Sequence, residues 1–289
     1  MQKFAEHVVV ITGGAGGIGL ATAAYFLERD AKVAIVDVDA TLLARAADAF
    51  AVYGDAFFGI QESVAAWSGA QRIMERVNER FGMVSVLLNN AAIVRDHSLL
   101  RMTAEEFDAV IGTNLSGTFY MTKAVLPSMV ARQQGRIINM IAASGLAGNP
   151  GQTNYAASKG GIMAMTLTWS KELKKHNIMV NAVIPAAWTA MSEGIPEEVL
   201  LKVLGEAQLR RMQARTPDQV APLLGYLASP ASNAVTGQCL SIAGEQLSIW
   251  QYGKPFIDFE APSGAWTLEE IEQRLATDNV CQHPAPSLI

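Results

Sequence analysis

The sequence predicts an α/β fold in which one doubly wound parallel sheet carries helices on both faces. Short apolar runs of strand length alternate along the chain with longer segments of helical periodicity. The first run leads directly into a glycine-rich turn and a helix, as a parallel β–α unit does. We predict strands at 8–11, 32–36, 84–88, 135–140, 178–184 and 238–242. Ligands of such a sheet bind outside the carboxyl ends of its strands.

The chain predicts one compact domain followed by an extension. No repeat or low-complexity linker interrupts residues 1–245, which we assign to a single nucleotide-binding domain. Residues 246–289 are dense in aromatic side chains, and we expect them to pack on their own or a neighbouring subunit. Threonine before glutamates predicts that a helix starts at 267–271. Two long helical segments, 114–131 and 155–176, are apolar on more than one face and are therefore expected to be buried or at interfaces.

Composition excludes several classes of protein. Half of the 289 residues are hydrophobic, which suffices for a buried sheet, and the net charge is −5 with scattered basic residues, so we expect no nucleic-acid partner. Cys239 and Cys281 form no metal or redox spacing, so we expect no metal site and two reduced thiols in a cytoplasm. No apolar run approaches a membrane span and no signal peptide precedes the first strand, so we predict a cytoplasmic protein without membrane insertion.

A glycine-rich loop at Thr12–Gly19 predicts a dinucleotide site. Glycines allow a tight turn and close approach of a pyrophosphate, whose charge is favoured at the start of the following helix. The second predicted strand ends in Asp37, about 20 residues further on, where a carboxylate can accept hydrogen bonds from the adenosine ribose and repel a 2′-phosphate. We therefore predict NAD rather than NADP as the cofactor. The predicted contacts in the loop are Gly13, Gly17, Ile18 and Gly19.

Tyr155 and Lys159 lie one helical turn apart and so share a helix face. A fixed ammonium near a phenol favours the phenolate and lowers its pKa from about 10 toward the range of a general acid or base. The alternative is a surface tyrosine beside a solvated lysine. The glycine loop upstream favours the first interpretation.

With these motifs the chain resembles the short-chain dehydrogenase/reductase family from the first strand to Gly244. The residues that carry the resemblance are Thr12–Gly19, the run Asn-Asn-Ala-Ala at 89–92, Asn114, Tyr155 with Lys159, and Pro185. The run at Arg95 and Asp96 and the stretch 113–117 further resemble 3-oxoacyl-carrier reductases within the family.

The resemblance implies a proton relay and an assembly. Tyr155 would donate or accept the substrate proton, Lys159 would lower its pKa and hold the nicotinamide ribose, and Asn114 would position a water behind the lysine. Family members pair their long helices across subunits, which implies a homodimer or homotetramer. The resemblance also adds cofactor contacts at Ser63, Val64, Asn90 and Pro185.

One departure from the family pattern concerns the chemistry. The position of the serine that hydrogen-bonds the substrate oxygen in relatives is Ala142. Ser144 could substitute for it if the loop is remodelled, or it could only satisfy loop backbone. Further departures surround the nicotinamide end of the expected site, at Ala92, Ala186 and Ala190, while the glycine loop, Asp37, Tyr155 and Lys159 are intact.

Two functional hypotheses follow. The first is an NAD(H)-dependent oxidoreductase that interconverts a secondary alcohol and a ketone on a hydrophobic substrate such as a hydroxyacyl, terpenoid or steroid-like compound. The apolar stretch 186–212, a mobile lid in relatives, favours such a substrate, although its side chains could equally pack the lid onto the body. The alternative, which Ala142 supports, is a protein of this fold with weak or no redox turnover, or with a non-redox elimination or isomerisation activity.

Overall fold

The computed structural model describes residues 4–193 and 197–251, together with Ile271 and Gln273. Eight strands form one sheet in the order β3-β2-β1-β4-β5-β6-β7-β8. They span Val8–Thr12 (β1), Lys32–Asp37 (β2), Phe57–Gln61 (β3), Val86–Asn89 (β4), Gly135–Met140 (β5), Ile178–Ala186 (β6), Cys239–Ala243 (β7) and Gln246–Trp250 (β8). The first seven pair in parallel, which confirms the doubly wound α/β fold, and β8 pairs antiparallel with β7.

Eleven α-helices are assigned within the described residues. They span Gly17–Leu27 (α1), Ala40–Ala49 (α2), Trp67–Phe81 (α3), Ala104–Val110 (α4), Gly117–Arg132 (α5), Ser144–Ala147 (α6), Thr153–Leu173 (α7), Ala190–Glu193 (α8), Glu197–Leu204 (α9), Glu206–Gln213 (α10) and Ala221–Ala228 (α11). A π-helical segment, Ile111–Ser116, joins α4 to α5. The predicted long helices are therefore present, with the first beginning in this π-helical turn and the second ending in a short 3₁₀ turn at Lys174–His176.

Two strands were not predicted from the sequence. β3 is a half-buried edge of the parallel series that follows a 3₁₀ turn, so its residues lack a continuous buried run. β8 is exposed along its whole length and forms a hairpin with β7 through Gly244, whose φ is +59°. The boundary predicted at residue 245 lies inside this hairpin, and the compact unit of the structure extends from Met1 to Trp250.

The core lies on both faces of the sheet because strand residues alternate between them. In β1, Val9 and Ile11 pack into a cluster with α1 and α11, whereas Val8 and Val10 pack into a second cluster with α3 and α5. Both faces are covered, as the near-continuous apolar strands require. This rigid frame places the carboxyl ends of β1, β2, β4, β5 and β6 along one edge.

The second unit of the chain runs from Gln251 to Ile289. Of its residues the structure describes Gln251, Ile271 and Gln273, the latter two in helical conformation. Of the predicted helix start at 267–271, residues 267–270 lie outside the described residues. The packing predicted for residues 246–289 can be described only for 246–250, which pair with β7 as β8. Over the described part of the chain, no helix combines the length and the apolar character needed to cross a membrane.

Candidate active site

A cavity of about 610 Å³ opens at the carboxyl ends of the strands. Among the residues that line it are most of those predicted from the sequence: Gly13, Gly17, Ile18, Asp37, Ser63, Val64, Asn90, Tyr155, Lys159 and Pro185. Gly19 and Asn114 are not among the described lining residues, but each contacts one that is. Gly19 packs closely against Gly13, and Asn114 accepts a hydrogen bond from the N–H of Ile93. The residues around Asp37 and those around Tyr155 thus line one continuous cavity.

The glycine loop is shaped by close backbone contacts. Gly13 and Gly17 have φ values of +61° and +50°, in the left-handed region that favours glycine. A Cβ on Gly19 would lie 2.3 Å from the carbonyl oxygen of Gly13, so only glycine fits there. Helix α1 begins at Gly17, and its first N–H groups have no partner within the helix. The loop therefore presents a helix start to the cavity, an arrangement suited to a pyrophosphate.

Asp37 is held at the end of β2 by backbone donors. Its Oδ2 accepts a hydrogen bond from the N–H of Ala15 at 3.2 Å, and its Oδ1 accepts one from the N–H of Asp39 at 3.2 Å. The carboxylate lines the cavity beside Val38 and Leu42. Of the described residues that line the cavity, the one basic side chain is Lys159, at the other end. This end of the cavity therefore offers oxygen acceptors to a ribose and no cation to a 2′-phosphate.

Asn90, which directly follows β4, is hydrogen-bonded to the glycine loop. Its Nδ2 donates to the carbonyl oxygens of Thr12 and Gly13, at 3.0 and 2.8 Å. The hydroxyl of Thr12 in turn accepts hydrogen bonds from the N–H groups of Asn90 and Ala91, at 3.0 and 3.1 Å. Sequence reasoning assigned Thr12 no role beyond its place in the motif. Its position at the end of a buried strand, facing β4, is the signal that could have indicated one.

Lys159 projects from α7 and is 3% exposed. Its Nζ donates to the carbonyl oxygen of Met140 at 2.8 Å and lies 5.4 Å from the centroid of the Tyr155 ring. Burial lowers the pKa of Lys159 to about 8. The predicted pairing of phenol and ammonium on one face of α7 is therefore present.

The predicted shift of the Tyr155 pKa toward neutral is wrong for the chain by itself. Burial of the phenol, reinforced by the negative charge of Asp96, raises the pKa of Tyr155 to about 12. The ammonium of Lys159 donates to the Met140 carbonyl oxygen, while burial and Asp96 set the direction of the Tyr155 pKa. At neutral pH Tyr155 is therefore a neutral phenol, in the form that can donate a proton.

Asn114 is fully buried in the π-helical turn. Its Oδ1 accepts from the N–H of Ile93 at 2.8 Å, while its Nδ2 donates to the carbonyl oxygen of Ile93 at 3.1 Å and to the hydroxyl of Ser158 at 3.2 Å. The hydroxyl of Ser158 in turn donates a hydrogen bond to the carbonyl oxygen of Tyr155 at 2.7 Å. Asn114 thus couples the Ile93 segment to the helix that carries Tyr155 and Lys159, a contact the sequence did not predict.

At the position where the resemblance implies a serine, the cavity wall is apolar. Ala142 lines the cavity, whereas Ser144 is buried at the start of α6, and its hydroxyl has no partner within the described part of the chain. Ser144 is not one of the described lining residues. The hydroxyls that do line the cavity belong to Ser63, Thr113, Tyr155, Thr189 and Ser192.

In the stretch 186–212, it is residues near the beginning that line the cavity. Ala187, Thr189, Ala190 and Ser192 line it, and Thr189 lies against Gly17, where a Cβ would come within 3.3 Å of its methyl group. Further along, Leu200 is buried and Leu201 is 39% exposed. Residues 194–196 and the side chains of Met191, Val199 and Val203 lie outside the described part, so the predicted apolar lid is only partly visible.

Fold and site together define a nucleotide-binding oxidoreductase: a helix start for a pyrophosphate, a fixed carboxylate for a ribose, and a buried Tyr–Lys pair at the far end. A comparison with protein families agrees, since the model of short chain dehydrogenases matches residues 7–199. The chain belongs to the short-chain dehydrogenase family. It is an enzyme that works with a nicotinamide cofactor.

Relatives of known activity cover most of the chain. A 3-oxoacyl-(acyl-carrier-protein) reductase of Thermotoga maritima is 40% identical over 248 residues, which is 84% of this chain and 98% of the relative. A (3R)-3-hydroxyacyl-CoA dehydrogenase of Canis lupus familiaris is 34% identical over 252 residues, covering 84% of this chain and 96% of the relative. The peroxisomal hydratase-dehydrogenase-epimerase of Saccharomyces cerevisiae is 36% identical over 245 residues, covering 81% of this chain and 26% of that longer protein. The chain is thus an oxidoreductase of the secondary alcohol–ketone type.

The described residues contain no group of three or more histidine, cysteine, aspartate or glutamate side chains placed to hold a metal ion.

Two features of the cavity fit a nicotinamide dinucleotide. The first is the tight glycine loop, where a Cβ at Gly13 would lie 2.8 Å from the Cα of Ala91, and the second is the carboxylate of Asp37, held by a backbone hydrogen bond. These residues suit the adenosine and pyrophosphate groups, while Lys159 and Tyr155 face the remaining space.

Proposed function

We propose that the protein is an NAD(H)-dependent oxidoreductase that interconverts a 3-hydroxyacyl and a 3-oxoacyl thioester. The observation that carries the proposal is the single cavity that joins Asp37, held by two backbone donors, to the Tyr155–Lys159 pair. The acyl thioester class comes from the relatives, whose names specify acyl-carrier-protein and CoA derivatives. The apolar walls at Ala92, Ile93 and Ala142 support an aliphatic substrate.

The bound cofactor supplies the hydride acceptor or donor, and the chain supplies the proton. In the reductive direction the Tyr155 hydroxyl donates its proton to the developing alkoxide, and its pKa of about 12 keeps that proton in place at neutral pH. The ammonium of Lys159 favours the phenolate that is left behind. In the oxidative direction Tyr155 must first lose its proton, so alcohol oxidation should rise with pH into the alkaline range.

NAD is preferred over NADP in this proposal because of charge. The carboxylate of Asp37, at the end of the cavity next to the glycine loop, would repel a 2′-phosphate, because two like charges without an intervening cation repel each other. Val38 and Leu42, its neighbours in the cavity lining, are apolar. NADP would instead require a basic side chain in this part of the cavity.

The test is turnover of (3R)- and (3S)-3-hydroxybutyryl-CoA and longer homologues with NAD⁺ and with NADP⁺, followed by the absorbance of the reduced nicotinamide. The proposal expects turnover with NAD⁺ that is lost in Tyr155→Phe, while that variant still binds NADH in a fluorescence titration. Tighter binding of NADPH than of NADH would overturn the cofactor assignment. Turnover of other hydrophobic alcohols but of no hydroxyacyl thioester would overturn the substrate class.

A second candidate function remains because of Ala142. Without a serine hydroxyl at this position the substrate oxygen has lost one hydrogen-bond donor, which typically costs about 10²–10³ in rate. This favours a protein that binds the cofactor with weak turnover, or that uses Tyr155 for a non-redox elimination or isomerisation. Cofactor binding without turnover across a broad panel of alcohols and ketones would support this candidate and count against the first.

We also propose that the protein assembles into a homodimer or homotetramer. Phe119 on α5 is 40% exposed and Phe107 on α4 is 36% exposed, and large apolar side chains on helix surfaces are common at subunit contacts. Size-exclusion chromatography with light scattering tests this assembly. A monomer at micromolar concentration would remove the proposal.

A further inference from the structure

A buried guanidinium lies at the amino end of the sheet, opposite the active-site cavity. Arg136 is the second residue of β5 and is 5% exposed. Its Nη1 donates to the carbonyl oxygen of Gly135 at 2.8 Å, and its Nη2 donates to the Oδ1 of Asn233. Its Nε is buried and has no partner among the described residues. Burial lowers the pKa of Arg136, yet a guanidinium keeps its charge at any ordinary pH.

A second buried nitrogen atom without a partner among the described residues belongs to a residue that lines the same cavity. His7 precedes β1 and packs edge-on against Phe4, with ring centroids 5.1 Å apart. Its Nδ1 is buried and, within the described part of the chain, has no hydrogen-bond partner. Burial and then the charge of Arg136 lower the pKa of His7, so the imidazole is neutral at neutral pH. A hydrogen bond with the Phe4 backbone acts in the opposite direction and raises the pKa of His7. A neutral imidazole carries one N–H, and in the tautomer that has it on Nδ1 this atom is a hydrogen-bond donor.

Both residues line a small cavity of about 10 Å³. That volume admits one particle of about the size of a water molecule. Ser85 also lines the cavity, but its hydroxyl is already engaged, accepting from the N–H of Val8 at 2.8 Å and donating to the Val8 carbonyl at 3.2 Å. The remaining lining residues are Gln134, Ala228 and Pro230. The cavity therefore combines a buried positive charge with two buried nitrogen atoms, Arg136 Nε and His7 Nδ1, that have no hydrogen-bond partner in the described part of the chain.

We propose that this cavity binds one monatomic anion, with chloride as the physiological candidate. A buried charge is costly unless it is paired, and no carboxylate forms an ion pair with Arg136 in the described parts of the chain. A water molecule would satisfy the donors but would leave the charge uncompensated. The other charged groups that act on His7 are Arg132, which lowers its pKa, and Glu6, which raises it and is the weakest of the named influences.

The site would tie three elements together. Arg136 belongs to β5, His7 leads into β1, and Ala228 ends α11, followed by the turn that carries Asn233. An anion between them would cross-link the first strand, a central strand and the C-terminal helix of the domain. It would stabilise the folded protein in proportion to anion occupancy, without touching the cofactor cavity.

Two measurements on the unaltered protein test the proposal. Crystals grown in bromide should show an anomalous peak between the Nε of Arg136 and the Nδ1 of His7. Melting temperature should rise by about 2–4 °C between low and high chloride when gluconate, which is too large for the cavity, replaces chloride at constant ionic strength. A water molecule in the cavity with no anomalous signal, or equal melting in the two salts, would overturn the proposal.

A matched pair of variants locates the effect. Arg136→Met removes the charge at the cavity and should abolish the chloride-dependent rise. Arg132→Met removes a charge from the same end of the sheet, where Arg132 donates to the Met83 carbonyl outside the cavity lining, and should keep the rise. A rise that persists in Arg136→Met, or one that is lost in both variants, would show that the chloride dependence does not come from this cavity and would overturn the site. If Arg136→Met does not fold, His7→Phe, which removes the second donor, should weaken the chloride dependence.

Discussion

The two halves of the active-site cavity are built differently. In the half around Asp37, the functional groups are backbone amides and a carboxylate, each fixed by main-chain hydrogen bonds or by glycine contacts. In the half around Tyr155, they are side chains of α7 facing an open volume, one wall of which is Ala142. In the proposed function, binding of the adenosine end would therefore depend on backbone geometry, whereas the chemistry would depend on a few side chains of α7. The two halves can be tested separately.

The largest expected effect comes from Lys159→Met, which acts in the Tyr155 half. Removing the ammonium should lower kcat/KM about 10³-fold, since it removes the charge that favours the phenolate. The same change should raise the melting temperature by about 2–4 °C, because a buried charge without a carboxylate partner is replaced by an apolar chain of similar length. Steady-state kinetics and calorimetry measure both. A fall in both quantities would show that Lys159 is chiefly a structural residue.

Ala142→Ser should act in the opposite direction in the same half. A hydroxyl at this lining position can donate to the substrate oxygen, and kcat should rise about 10–10²-fold. The matched control is Ala143→Ser, which adds the same hydroxyl at the next residue, outside the described cavity lining. Equal rates for both variants and the unaltered enzyme would mean that another group already serves the oxygen.

Asp37→Ser tests the other half. It removes the carboxylate from the end of β2 and should shift the ratio of NADP to NAD affinity about 10–100-fold toward NADP. Asp39→Ser removes the same charge two residues away, where Asp39 caps α2 by accepting from the N–H of Thr41, and should leave the ratio unchanged. A shift in both variants would assign the preference to net charge rather than to Asp37.

Asp96→Asn should give the smallest effect. The charge of Asp96 raises the pKa of Tyr155, so its removal should move the alkaline rise of alcohol oxidation to lower pH. Asparagine keeps an oxygen that can accept from the Nε2 of Gln152, as Asp96 does at 2.7 Å. Asp108→Asn, an exposed acid on α4, serves as the control. A shift to higher pH would contradict the assigned sign.

The sequence predicted the Asp37 half better than the Tyr155 half. Strand periodicity located six strands, and the glycine loop with Asp37 followed from motifs whose function is set by backbone geometry. The raised pKa of Tyr155 could not be predicted, because burial and the charge of Asp96 depend on residues brought together only by folding. The contacts of Asn114 with Ile93 and Ser158 were missed for the same reason. β3 and β8 were missed because exposed edges lack a buried pattern.

The burial of Lys159 also couples folding of the protein to proton exchange at this residue. The ordinary pKa of a lysine is 10.5, and the folded protein lowers that of Lys159 to about 8. Between these two values the unfolded chain binds more protons than the folded one, so folding releases a proton and the contribution of Lys159 to stability becomes more favourable as pH rises. Tyr155 has the opposite sign, because its pKa of about 12 exceeds its ordinary value of 10.0. Folding therefore takes up a proton at this residue above pH 10.0, and its contribution becomes less favourable there.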